Sequence, residues 1–114
     1  MTTIDIRVSD GRTIRTHDTG PTSADELVVV WHHGTPNIGL PPEPLFAVSE
    51  PLRIRWIGYD RPGYGGSDAN PDRNVGSAAA DVASIADALD VDRFVVMGHS
   101  GGSAHALALS LIHI

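Results

Sequence analysis

One serine and a pair of adjacent histidines carry most of the chemistry that this chain of 114 residues could do. Ser100 sits in Gly98-His99-Ser100-Gly101-Gly102, directly after the apolar run Phe94-Val95-Val96-Met97 and directly before an Ala- and Leu-rich stretch. The Gly-x-Ser-x-Gly spacing describes a strand-to-helix turn so sharp that the serine takes a strained backbone conformation and presents its hydroxyl outward. A serine presented in this way is a candidate nucleophile. The competing reading makes Ser100 an ordinary helix N-cap, but a cap does not call for glycine at both Gly98 and Gly102. His32 and His33 end another apolar run, Leu27-Val28-Val29-Val30-Trp31, and adjacent histidines invite a metal or catalytic-base reading. The absence of cysteine removes thiolate metal ligands, disulfides and a cysteine nucleophile.

The elements that must position these residues follow from hydrophobic periodicity. Ile4, Ile6 and Val8 alternate with polar residues, Ser9-Asp10-Gly11-Arg12 forms a turn, and Thr13 to His17 reads as the antiparallel partner. The continuous apolar run from Leu27 to His32 suits a strand covered on both faces. A short helix is expected over Leu45 to Ser49, and another strand over Arg53 to Tyr59. Val75, Ala78, Ala79, Val82, Ile85, Ala86 and Leu89 fall on one helical face, with Asp81, Ser84 and Asp87 mostly opposite. Asn74 or Ser77 can cap that helix. Met97, Trp31 and Trp56 read as core. A hairpin followed by alternating strands and helices indicates an α/β fold with a mostly parallel sheet.

Composition narrows the function classes. The net charge of −6 argues against nucleic acid and against an anionic membrane surface. All eight basic residues are Arg, so a phosphate-binding P-loop, which needs Lys, is excluded, and a dinucleotide fingerprint would need Gly at position 100. No apolar run approaches the roughly 20 residues of a membrane span, and the N-terminus shows no basic start with an apolar core. The expectation is a cytoplasmic protein with a small-molecule partner, no nucleic acid, no membrane and an open oligomeric state.

Three loops follow the C-terminal ends of three expected parallel strands, the edge at which open α/β sheets bind ligands. They are His33-Gly34-Thr35-Pro36, Asp60-Arg61-Pro62-Gly63-Tyr64-Gly65-Gly66-Ser67, and Gly98-His99-Ser100-Gly101-Gly102. In order, spacing and secondary structure the chain resembles the N-terminal half of an α/β-hydrolase-fold serine hydrolase, from about residue 10 to residue 108. The resemblance implies a partial α/β-hydrolase fold: an N-terminal β-hairpin, then parallel strands with helices, ending after the nucleophile-elbow helix. It implies Ser100 as the catalytic nucleophile and the backbone N–H groups of Thr35 and Gly101 as the oxyanion hole, with the Thr35 side chain incidental. His33, Gly34, Gly98, His99 and Gly102 support the site, and neither cofactor nor metal is implied. His33 orients the oxyanion loop through its ring nitrogens, His32 ends its strand, and Ser67 bonds the backbone of its own loop. Asp60 and Arg61 are read as holding that loop or as a solvated pair. His105 lies off to the side of Ser100.

In this family the acid and the His of the triad follow the serine, so both are expected beyond residue 114. Residues 1–114 then form a single incomplete domain, and this chain alone is expected to be inactive. Leu109 to Ile114 departs from the style of the rest and coincides with one translation of a transposon end sequence used to prepare DNA libraries. These six residues are read as a non-native tail, the alternative being that Leu107, Leu111 and Ile114 continue an apolar helix face. The function implied is hydrolysis of an ester, thioester, lactone or amide through an acyl-enzyme. Two alternatives stay open: a non-catalytic small-molecule-binding protein on the same fold, and a cofactor-free haloperoxidase-type or aminopeptidase-type relative. A serine at the nucleophile position speaks against epoxide hydrolases and haloalkane dehalogenases, whose loops are also similar.

Overall fold

The computed structural model describes residues 1–112, with side chains through Ser110. Its strands are β1 (Thr2–Arg7), β2 (Thr13–Asp18), β3 (Leu27–His32), β4 (Ile54–Tyr59) and β5 (Val95–Gly98), and its helices are α1 (Phe46–Ser49), α2 (Ala78–Ala88) and α3 (Gly102–Ile112). One five-stranded sheet results, in the order β1-β2-β4-β3-β5. β1 and β2 form the expected hairpin and β2 pairs antiparallel with β4, whereas β3 pairs parallel with both β4 and β5. The chain therefore inserts β4 between β2 and β3, and the C-terminal ends of β3, β4 and β5 point the same way.

Alternation along the strands supplies both faces of the sheet with apolar residues. Val28 and Val30 of β3 join Ile14, Ile57, Tyr59, Val82, Ile85 and Leu109 in one buried cluster, where α2 and α3 cover the sheet. Each of the larger side chains buried there contributes roughly 1.5–3 kcal/mol relative to exposure. The opposite face places Val29, Trp56 and Met97 beside Leu45, Val48 and Leu52 of the segment around α1.

The helical stretch from Val75 begins with a 3₁₀ turn whose start is closed by reciprocal bonds. Asn74 Oδ1 accepts from Ser77 N–H, and Ser77 Oγ accepts from Asn74 N–H. Two expectations about burial are corrected. Asp81 is not on a solvated face: it is 2% exposed and takes a 2.8 Å bond from Arg12 Nη2, which reaches across from the hairpin. Met97 is not core. Among the described strands β5 lies at the edge of the sheet, which leaves Met97 44% exposed.

Leu109 is buried in the main cluster. His113, Ile114 and the side chains of Leu111 and Ile112 lie outside the described residues, so the apolar face expected to run through Leu111 and Ile114 falls there as well.

Candidate active site

Ser100 occupies the step between β5 and α3 and takes φ 53°, the left-handed region that a serine adopts only under constraint. The constraint comes from its glycine neighbours. A Cβ on Gly98 would lie 2.7 Å from Ser103 Cα and 2.8 Å from Gly102 O. One on Gly102 would collide with the carbonyl groups of His32 and His33 at the end of β3. Close approach of backbone to backbone thus forces the turn, which is pinned further by bonds from His99 N–H to His32 O at 3.1 Å and from Ser103 N–H to Ser100 O at 3.0 Å. Ser100 ends up exposed, on the side of the sheet edge where the loops after β3 and β4 also emerge.

The loop after β3 lies against this turn. A Cβ on Gly34 would stand 3.1 Å from His99 Nδ1 and 3.3 Å from Ser100 Cβ, so the two loops lie in close contact at this glycine. A Cβ on Gly101 would stand 3.5 Å from Thr35 Oγ1 and 4.0 Å from Thr35 N. Thr35 and Gly101, separated by 66 positions in the chain, are therefore neighbours beside the serine. The His99 ring stacks on Trp31 with centroids 6.3 Å apart and planes 18° apart, which covers the β3 side of the elbow.

His33 locks the β3 loop to the β4 loop. Arg61 N–H donates to His33 Nε2 at 3.0 Å, which leaves the proton on Nδ1, and Nδ1–H donates to Gly34 O at 2.8 Å. This role needs a neutral ring. Burial, and after it the charge of Arg61, holds the His33 imidazolium below the ordinary histidine range despite the bond to Gly34. Arg61 also donates through Nη1 to His33 O. Its guanidinium lies 5.1 Å from the Tyr64 ring centroid, and the Tyr64 and His33 rings meet edge to face at 5.0 Å.

Asp60 is the anchor of the β4 loop and not a solvated ion. It is 1% exposed, and its Oδ1 accepts from Gly39 N–H at 2.7 Å and lies 2.9 Å from His17 Nε2, while Oδ2 accepts from Gly66 N–H at 2.9 Å. Burial alone would raise its carboxyl, but the Gly66, Gly39 and His17 donors outweigh it and leave the group below the usual carboxylate range. Ser67 does bond the backbone of its loop, donating to Asp60 O at 2.5 Å while it accepts from Arg15 N–H at 2.9 Å.

His32 is fully buried, its Nδ1 3.0 Å from the Tyr59 hydroxyl, and burial drives its imidazole down to about 3. A histidine so held is neutral and out of reach of solvent. His105 Nδ1 lies 3.1 Å from Gly101 O, so its ring is turned back on its own helix. Among the described residues no group of three or more His, Asp or Glu is placed to hold a metal ion, and no helix is long and apolar enough to cross a membrane.

Two partners of the site had no signal in the sequence. Tyr64 OH lies 3.1 Å from Thr35 Oγ1, and Arg61 Nη2 approaches the same oxygen at 3.5 Å, so the Thr35 hydroxyl is not incidental to the loop contacts. His17 is bonded to Asp60 from a strand 43 positions earlier. Both contacts depend on how distant segments meet, and neither leaves a local pattern.

The elbow, its two obligatory glycines and the adjoining Gly34-Thr35 loop are the features by which the chain can be compared with known proteins. The sequence profile of the alpha/beta hydrolase fold matches residues 28–113. The chain belongs to this family. A non-heme chloroperoxidase from Streptomyces lividans is 39% identical over 100 residues, which cover 85% of this chain and 35% of that protein. The chain thus spans about a third of the length of this relative. Among solved structures, epoxide hydrolase A from Mycobacterium thermoresistibile matches 98% of the chain with a TM-score of 0.82 and 19% identity, using 35% of its own length. An esterase from Exiguobacterium antarcticum matches 98% of the chain and 41% of its own, with a TM-score of 0.75 and 28% identity. The α/β-hydrolase family member therefore carries the N-terminal part of the fold, and these neighbours differ in the reactions their names describe.

Proposed function

We propose that the protein of which this chain forms part is a serine hydrolase that acts on an ester, thioester, lactone or amide through an acyl-enzyme. The observation that carries the reading is Ser100 held at φ 53° and exposed between two glycines at which a Cβ would run into backbone atoms. In this reading Ser100 Oγ attacks the acyl carbon, and the N–H groups of Thr35 and Gly101 receive the negative charge that develops on the carbonyl oxygen. Gly101 N–H lies immediately before α3, at the helix N-terminus where free amides and the helix dipole favour an anion. His33, Gly34, Gly98, His99 and Gly102 hold these donors and the nucleophile in register. An Asp or Glu and a His from the rest of the protein activate the serine. The proposed location is the cytoplasm and the partner a small-molecule substrate.

A fluorophosphonate probe applied to the full-length protein tests this directly. Labelling at Ser100, lost in Ser100→Ala, is the expected result. An unlabelled wild-type protein would favour the non-catalytic binding reading instead.

A second reading has a specific observation behind it: the 39% identity to a protein named as a non-heme chloroperoxidase. Peroxide-dependent halide oxidation, measured beside hydrolysis of p-nitrophenyl acetate on the same preparation, separates the two. Substrate choice depends on pocket walls, and fold alone does not set it.

A further inference from the structure

We infer that a single water molecule is built into this protein between the loop after β4, α2 and α3, where it bridges Arg61 Nε to Asp81 Oδ2 and His105 Nε2. The inference does not depend on the role of Ser100, and it concerns buried groups that the hydrolase reading leaves unused. Arg61 and Asp81 are each 2% exposed. The Arg61 guanidinium donates through Nη1 to His33 O and approaches Thr35 Oγ1 with Nη2. The Asp81 carboxylate receives Arg12 Nη2 on Oδ1. One buried atom of each side chain has no hydrogen-bond partner among the described residues: Arg61 Nε, which can only donate, and Asp81 Oδ2, which accepts. Polar atoms buried in a folded protein are nearly always bonded, and the cost of leaving one unpaired is greatest on charged groups.

Both residues line one small cavity. Its volume of about 10 Å³ gives room for one water and nothing larger. The charges on its wall narrow the occupant further. Arg61 repels a cation and Asp81 repels an anion, so the occupant is neutral, and it must accept on one side and donate on the other. Water does both. Of the other polar side chains on the wall, Tyr59 is bonded to His32, Asn74 and Ser77 are bonded to each other, and Arg73 is exposed to solvent. His105 differs from these. Gly101 O can only accept, so the 3.1 Å contact places the His105 proton on Nδ1 and leaves Nε2 as an acceptor. Burial, opposed by the bond to Gly101 but helped by the charges of Arg61 and Arg73, holds the imidazolium below the ordinary histidine range. A water that accepts from Arg61 and donates to Asp81 and His105 makes three bonds, about the number typical of buried waters. His105 carries the connection to Gly101 O and Arg61 carries it to His33 O, so one water fastens together the turns on either side of Ser100.

A high-resolution crystal structure of the full-length protein tests this. One water is expected within about 2.7–3.2 Å of each of the three atoms. A direct bond between Arg61 and Asp81, a side chain filling the cavity, or a water out of reach of any one of the three overturns the proposal. In solution, Arg61 Nε–H should show a nuclear Overhauser effect to a long-lived water. Asp81→Leu removes the acceptor and fills the space, and it should abolish that effect. An effect missing from the wild type, or undiminished in Asp81→Leu, overturns the site. If the leucine variant does not fold, the crystal structure and the wild-type Overhauser effect decide. Fluorophosphonate labelling of Ser100 is a separate readout, so loss of the water site leaves the nucleophile standing.

Discussion

The carbonyl of His32 fills the space that a side chain on Gly102 would need, so the end of β3 and the start of α3 touch backbone to backbone. That contact sets the height of the elbow above the sheet edge. Gly102→Ala must push α3 away from β3 and carry Ser100 with it. Overpacking of this kind costs roughly 1–3 kcal/mol even where side chains can adjust, and here the obstacle is backbone. The expected outcome is a lower urea midpoint together with loss of fluorophosphonate labelling. An alanine variant that unfolds and labels like wild type would show that the two segments do not meet in this way.

Ser100 itself should be a source of instability. Its φ of 53° costs a residue with a Cβ roughly 1–2 kcal/mol, a cost that glycine does not bear. Ser100→Gly and Ser100→Ala both delete the hydroxyl, so both should abolish labelling. They differ in strain. We expect the glycine variant to be the more stable of the two by about 1 kcal/mol, allowing for the greater freedom of glycine in the unfolded chain. Equilibrium denaturation of the pair measures this, and a more stable alanine variant would mean that the turn is relaxed.

The elbow was legible in the sequence because its chemistry is local. Gly98 and Gly102 are dictated by how closely backbones approach, and such a demand leaves a fixed spacing behind. Strand positions were legible for a similar reason, since β3 must be apolar on both faces. The order of the strands was not, because nothing in Ile54 to Tyr59 says that β4 enters between β2 and β3. That insertion brings His17 to Asp60 and places β5 at the edge, where Met97 meets solvent. Asp81 was misplaced because helical periodicity sees only its own helix, and its partner Arg12 comes from the hairpin. The contact of Tyr64 with Thr35 belongs to the same class. It joins loops from different strands, and only the fold brings them together.

Asp60 holds the β4 loop through acceptors alone. Asp60→Asn replaces one of its two oxygens with a donor, which must then face the N–H of Gly66 or the groups on the other side, Gly39 N–H and His17. A buried donor left against another donor costs roughly 1–3 kcal/mol, and removal of a charged acceptor adds to that. The expectation is a loss of about 3 kcal/mol by urea denaturation, near the lower end of what breaking a buried pair costs. The loss should shrink in the background of His17→Gln, since the two variants damage one network. Additive losses would mean that the His17 bond is not part of what Asp60 does.

The buried His32 predicts the direction in which acid acts. Burial, followed by the charges of His105, Arg61 and His33, depresses its imidazole to about 3, whereas in the unfolded chain it titrates near 6.5. Above the unfolded value both states are neutral and His32 adds no pH dependence. Between the two values the unfolded chain carries one more proton than the folded one. Stability therefore falls as pH drops through this window, by up to about 1.4 kcal/mol per pH unit. His33 and His105, also depressed chiefly by burial, act in the same sense. Asp60, held below its ordinary range, adds a further loss in stronger acid as it takes up a proton. His32→Asn isolates the contribution of His32, because its amide can still meet the Tyr59 hydroxyl but does not titrate. Unfolding free energies of the full-length protein between pH 7.5 and pH 4.5 should then fall less steeply in the variant, by roughly one proton's slope. Parallel slopes would mean that folded His32 takes up a proton as readily as the unfolded chain does, which a side chain sealed beneath the elbow should not.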